Sequence, residues 1–205
     1  MKPTPKSARR DGGFSLVELL IVAALTPVIL GAAYLAFGAM TNNYSRIEAA
    51  SEATGEAQRG LDTLVRELRQ GRQIQEGGGA FSAATTSTCA FYCDANLDGA
   101  PERITYYVAD GTDLYRMVGR RSAVPPYNFV DEPAVRVLNI AGMTSQAVFT
   151  YYNSAGDQLT VSNTNMNTIS AVGVHLVATR ASQGGLVSVD FSTKVKIRAL
   201  FNSLS

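Results

Sequence analysis

Gly13-Phe14-Ser15-Leu16-Val17-Glu18-Leu19-Leu20 decides the reading of this chain. It joins a basic leader to a long apolar run and puts one carboxylate at the mouth of that run. From Phe14 to Met40 the only formal charge is Glu18. An apolar segment of about 20 residues or more reads as a membrane span. A carboxylate inside such a segment is costly and points to function. The order of the parts is equally informative. A secretory signal is cut after its apolar region, at small residues. Here the candidate scissile bond, Gly13-Phe14, precedes the apolar region, so cleavage leaves the helix on the mature chain.

The flanks fix an orientation. Residues 1–13 hold Lys2, Lys6, Arg9 and Arg10 against Asp11, and the positive-inside rule keeps such a leader cytoplasmic. Everything after Met40 then lies across the membrane. At about 1.5 Å per residue, residues 14–40 span about 40 Å. That exceeds the roughly 30 Å hydrocarbon core and allows some tilt.

The stretch GFSLVELL resembles the class III signal of type IV pilins and pseudopilins, with Gly13, Phe14 and Glu18 as the matching residues. The resemblance implies that a membrane-embedded prepilin peptidase cuts after Gly13 and methylates the amine of Phe14. Glu18 is then the fifth mature residue. In a lipid-free filament it can pair with the cationic N-terminus of a neighbouring Phe14, because a buried charge needs a partner. The alternative is a carboxylate snorkelling at the interface.

Composition bounds the rest. Of 205 residues, the leader removes 13, with four of the 18 basic and one of the 17 acidic residues. The remaining 192 carry a net charge of −2 and leave no electrostatic footprint for nucleic acid. This is enough chain for one long helix and one globular domain. The expected division is a leader at 1–13, a transmembrane and assembly helix at 14–40, an amphipathic helix at 41–72 and a β domain at 73–205.

Tyr44, Ile47, Leu61, Leu64, Val65 and Leu68 keep mostly helical spacing, which predicts one buried face. Arg59, Asp62, Arg66, Glu67 and Arg69 fill the other, solvated faces. Pro27 predicts a kink, and Gly55 and Gly60 predict a bend or local melting. An end near Gly71 precedes the breaker Gly77-Gly78-Gly79.

Beyond it the pattern turns to period two. Strands are expected at 91–93, 103–109, 114–118, 135–140, 147–153, 158–162, 171–179, 186–191 and 194–198. Turns are expected at Asp110-Gly111, at 154–157 and at 183–185. The fold class is α+β: a long N-terminal helix packed on an antiparallel sheet, in a type IV pilin-like arrangement. RGLDTLVRELRQ, SAVGVHLVAT and VSVDFSTKVKIRALFN also resemble W-type minor pilins and J-type minor pseudopilins, which implies a minor subunit.

Five further features are weighed for chemistry. Asp94, Asn96 and Asp98, then Gly99, match the first half of an EF-hand loop. Thr105 stands where the bidentate Glu belongs. A calcium site would therefore use Asp94, Asn96, Asp98, the Ala100 carbonyl and Glu102; the alternative is a plain Asx-rich turn. Cys89 and Cys93 are the only cysteines, and an oxidising compartment favours a disulfide. Four residues of extended strand separate them by about 13 Å, so the bond requires a turn between them. His175, the sole histidine, lies mid-strand and reads as structural. Phe91, Tyr92, Tyr106 and Tyr107 read as core and cross-strand packing. Arg116, Arg120 and Arg121 are too few to claim a basic groove.

The expectation is a non-enzymatic subunit with no required cofactor, single-pass in the inner membrane with its C-terminal domain periplasmic or extracellular, later in a filament or its tip. Partners implied by the resemblance are a major pilin or pseudopilin, other minor subunits and the prepilin peptidase. Three roles remain: initiating a type IV pilus for adhesion, twitching or DNA uptake, serving as a pseudopilin of type II secretion, or gripping DNA or a host ligand at a pilus tip.

Overall fold

The computed structural model describes residues 15–73, 79–109, 113–122, 128–139, 148–160 and 165–197. The whole leader, Gly13 included, and Phe14 lie outside these residues, as do Gly77, Gly78 and the turn at Asp110-Gly111. The chain falls into two compact units, Met1–Tyr44 and Ser45–Ser205. Helix α1, Leu16–Arg69, contributes to both and runs through Pro27, Gly55 and Gly60 without interruption. The expected melting at the glycines does not occur.

In the first unit α1 shows its apolar side chains to the exterior. Leu16, Leu20, Val28, Leu30 and Phe37 each expose more than half of their surface. Among the described residues, α1 is the one helix long and apolar enough to cross a membrane.

The second unit is built on two antiparallel sheets rather than the single sheet expected. The larger contains β1 (Phe81–Ala84), β2 (Thr88–Cys93), β3 (Glu102–Ala109), β4 (Asp113–Arg121), β5 (Phe129–Asp131) and β6 (Val135–Asn139). Its order is β1-β2-β3-β4-β5, with β6 also on β4. Strand β4 can hold two partners because β5 takes its 119–121 end and β6 its 113–116 end. The smaller sheet contains β7 (Phe149–Tyr152), β8 (Gln158–Leu159), β9 (Ala171–Ser182) and β10 (Gly185–Lys196), in the order β10-β9-β7-β8. The two segments expected at 186–191 and 194–198 are one strand as far as Lys196.

Two of the three expected turns can be followed. Gly156 (φ +96°) turns β7 into β8, where Asn153 Oδ1 accepts the Asp157 amide at 2.9 Å. Gly185 (φ +109°) opens β10 directly after Gln183-Gly184. Both positions lie in the left-handed region, where glycine has no steric penalty.

Alternation along the strands sends one face to a shared core. Phe91 pairs with Ile104, Ile104 with Val118, and Leu176 with Phe191 across the ladders. The helix meets this core through Ala49, Ala53, Ala57, Gly60, Leu64, Glu67 and Leu68. That stripe keeps three- and four-residue spacing but is built largely from small side chains. The expected face therefore needs correction: Tyr44 and Ile47 are exposed, while Leu61 and Val65 only flank the core. At Gly60 the absence of a side chain admits a valine of β6. At Gly60 an added Cβ would stand 2.9 Å from Val137 Cγ1. Leu64 and Leu68, fully buried, each contribute about 1.5–3 kcal/mol.

Candidate functional site

Glu18 lies in the first turn of α1 and is exposed among exposed apolar neighbours. A carboxylate near a helix N-terminus sits at the favourable end of the helix dipole. Of the three residues that carry the processing and assembly reading, it alone belongs to the described residues.

Farther along α1, Glu67 departs from its reading as a solvated charge. It is only 3 % exposed. Tyr106 Oη of β3 donates to Glu67 Oε2 at 2.7 Å, and Arg116 Nη2 of β4 donates to Oε1 at 2.6 Å. Arg116 Nε reaches both carboxylate oxygens at 3.1 Å. Tyr106 and Arg116 are cross-strand neighbours, so one carboxylate ties the helix to two strands at once. Burial, reinforced by the adjacent carboxylate, pushes the Tyr106 phenol well above its usual range. The charged partner offsets part of the cost of burying Glu67.

Between β2 and β3, residues 94–102 form a loop that closes on itself. Arg72 Nη2 donates to Asp94 Oδ2 at 2.6 Å, and the Gly99 amide donates to the same oxygen at 3.0 Å. Asn96 Nδ2 donates to Asp98 Oδ2, the Asp98 amide donates to Asn96 Oδ1, and the Ala100 amide donates to Asp98 Oδ1. Glu102 Oε2 accepts the Ala95 amide at 2.9 Å. The Ala100 amide, with Asn96 second, holds the exposed Asp98 carboxyl below its ordinary value.

Four of the five candidate calcium ligands are thus committed through their side chains to protein donors. Among the described residues no group of three or more His, Cys, Asp or Glu side chains converges as a metal site. As placed, the residues do not fit a calcium ion, and the Asx-turn alternative describes the geometry. Asp94 Oδ1 is buried without a hydrogen-bond partner, but Arg72 already supplies that carboxylate with a cation.

The cysteines also depart from expectation. Cys89 and Cys93 are free thiols, both buried, and both on β2. The strand continues through them without a turn, and its alternation places Cys89, Phe91 and Cys93 on the core face. The Cys89–Cys93 disulfide is therefore absent, for the reason of reach given by strand geometry. Burial pushes each thiol up to about 12; at Cys93 the nearby Glu67 and Glu102 carboxylates add to it.

The remaining candidates fall where the pattern put them. Phe91 and Tyr106 stack in the core with ring centroids 6.4 Å apart, whereas Tyr92 packs on Phe129 and Tyr107 on Tyr115 on the other face. Arg120 is paired with Glu132. His175 Nε2 lies 2.9 Å from Asp190 Oδ1. Ser192 stands opposite His175 in the ladder.

Comparison with protein-family models, curated proteins and solved structures yields no match to this chain.

Proposed function

We propose that this chain is a non-enzymatic minor subunit that initiates or adapts a type IV pilus-like filament. The observation that carries the reading is one element, α1, with an apolar and exposed N-terminal part opened by Glu18 and a C-terminal part whose small-residue stripe packs on β strands. Such an element can hold a precursor in the membrane and later bundle with equivalent helices while the β domain stays folded outside. In this reading prepilin peptidase cuts between Gly13 and Phe14, and Glu18 sets axial register by pairing with the N-terminal amine of an adjacent subunit.

The test is a Glu18→Val substitution in the native host, with surface filaments, exoprotein secretion and the membrane level of the subunit scored together. The expected outcome is a subunit that accumulates in the membrane, filaments that fall to the level of a deletion strain, and normal secretion. Exoprotein trapped in the periplasm with filaments intact would transfer the subunit to a secretion machine. Wild-type incorporation of Glu18→Val would remove the charge-pairing mechanism.

A further inference from the structure

The two sheets of the second unit meet where the β1–β2 turn lies against the start of β7. The Val148 and Phe149 amides donate to Thr86 O at 2.9 and 3.0 Å. Tyr151 Oη donates to Thr88 O at 2.8 Å and lies 3.1 Å from Thr85 O. The turn is itself tied: the Thr85 amide donates to Thr88 O at 2.7 Å, and Thr85 Oγ1 accepts the Thr88 amide at 2.9 Å. These bonds hold turn and strand together, so the space beside them is preformed. That space is a cleft of about 400 Å³ between the turn and β8. Small-molecule sites typically enclose about 300–1,000 Å³ and are largely preformed.

The chemistry of the cleft is uniform. Phe149 and Tyr151 are buried at its inner side, and Thr86, Gln158 and Thr160 are exposed at its rim. Thr150 Oγ1 makes only long contacts, to Gly173 O at 3.4 Å and to Tyr152 Oη at 3.5 Å. None of the described residues that line the cleft carries a formal charge. A charged ligand would leave water here without a counter-charge, and the phosphates of DNA would find no cation. A docked peptide strand needs a row of backbone groups along an edge. Strand β8 has two residues, and β1 has four with a register irregularity between Phe81 and Ala83. The lining instead matches a ligand whose own groups both donate and accept, as hydroxyls and carboxamides do.

We propose that the cleft between the β1–β2 turn and β8 binds a neutral polyhydroxy ligand, the sugar units of a glycan, with Thr86, Gln158 and Thr160 as its hydrogen-bond partners. The half-buried Ala84 and Leu159 supply apolar surface for the C–H groups of the sugar. The neutral lining sets the selectivity: an acidic sugar of the same size meets no cation there. This goes beyond the proposed function and does not depend on it.

The probes are chitotriose and maltotriose, both neutral, added to the full chain in micelles of a detergent without a sugar headgroup. Trigalacturonate is the charged control, and a blocked peptide alternating serine with glycine is the neutral control that is not a sugar. Binding is read by saturation-transfer NMR and located by the amide shifts of Thr86, Gln158 and Thr160. The expected result is binding of a neutral trisaccharide at least tenfold tighter than of trigalacturonate, with the shifts centred on those three amides. Thr86→Val with Thr160→Val removes two hydroxyls at nearly constant shape. It should lower the affinity at least tenfold at an unchanged melting temperature. Gln158→Leu should do the same and serves equally if the double variant does not fold. A preference for chitotriose supports the proposal with an N-acetylated polymer as the source, and a preference for maltotriose supports it with a glycan that lacks acetamido groups. No shift with either sugar, equal binding of trigalacturonate, tighter binding of the peptide, or full affinity in the variants would each overturn the proposal.

Discussion

At Leu97 the backbone takes φ +63°, a left-handed conformation that disfavours residues with a large side chain. Its side chain is 76 % exposed, so little packing is at stake. Asparagine tolerates this conformation far better. Leu97→Asn should stabilise the second unit by about 0.5–1 kcal/mol, a rise of about 1–4 °C in melting temperature. A scanning calorimetry trace with a lower midpoint would show that the conformation is not strained. The two thiols give a second prediction at this scale. Their folded values near 12 lie above the ordinary 9.0, so the folded state keeps protons that the unfolded chain releases. Their contribution is intact below pH 9 and is lost as pH rises from 9 toward 12, at about 1.4 kcal/mol per pH unit for each thiol. Stability measured by urea titration between pH 9 and 10 should fall, and Cys89→Ala with Cys93→Ala should flatten that fall. An unchanged slope in the double variant would place the alkaline loss elsewhere. The Asx-turn alternative at 94–102 was visible in residue types alone, because the Asp and Asn side chains bond backbone amides two to five residues away. The disulfide misled because compartment chemistry was weighed above the period-two alternation that puts both thiols on one face of one strand.

Among elements, the tie between α1 and the larger sheet carries the sharpest consequence. Removing one member of a buried ion pair leaves an uncompensated charge, at a cost of about 3–5 kcal/mol. Arg116 keeps part of its side chain in contact with solvent, which argues for the lower end of that range. Glu67→Ala should therefore cost about 3 kcal/mol in urea denaturation, whereas Glu67→Ala combined with Arg116→Met should recover part of the loss. A loss below about 1 kcal/mol in the single variant would mean that water or another donor replaces the carboxylate. Half of this tie could be read in the spacing, although Glu67 was assigned to a solvated face: it follows Gly60 and Leu64 by seven and three residues, on the stripe that helical periodicity buries. Its partner on β4, 49 residues away, is a tertiary fact that no local pattern encodes. The alanines of the stripe were passed over for the same kind of reason. Small residues mark a buried helix face only when something packs against them, as Val137 does at Gly60. Strands β1 and β5 escaped notice because three or four residues hold too little alternation to register.

For the molecule as a whole, the division at Tyr44 separates two kinds of surface. Among the described residues no buried side chain precedes Ala49, and the core of the second unit draws on α1 only from there onward. The link to the β9–β10 hairpin begins at the same boundary, where Ser45 Oγ accepts the Gln183 amide at 3.1 Å and Arg180 meets Glu52 and Glu56. Apolar side chains of the first unit are exposed among the described residues, on a helix long and apolar enough to cross a membrane. From sequence the change of character was expected after Met40, where the apolar run ends. The split into two sheets was not, since strand order depends on long-range pairing. It follows that residues 45–205, produced without the first 44, should fold alone. The fragment should remain soluble without detergent and unfold cooperatively in urea at the midpoint of the full chain in micelles. The full chain should precipitate once detergent is withdrawn. If the fragment instead melts several degrees lower or aggregates, the first unit contributes to the stability of the second, and the helix is no longer divided by function at Tyr44.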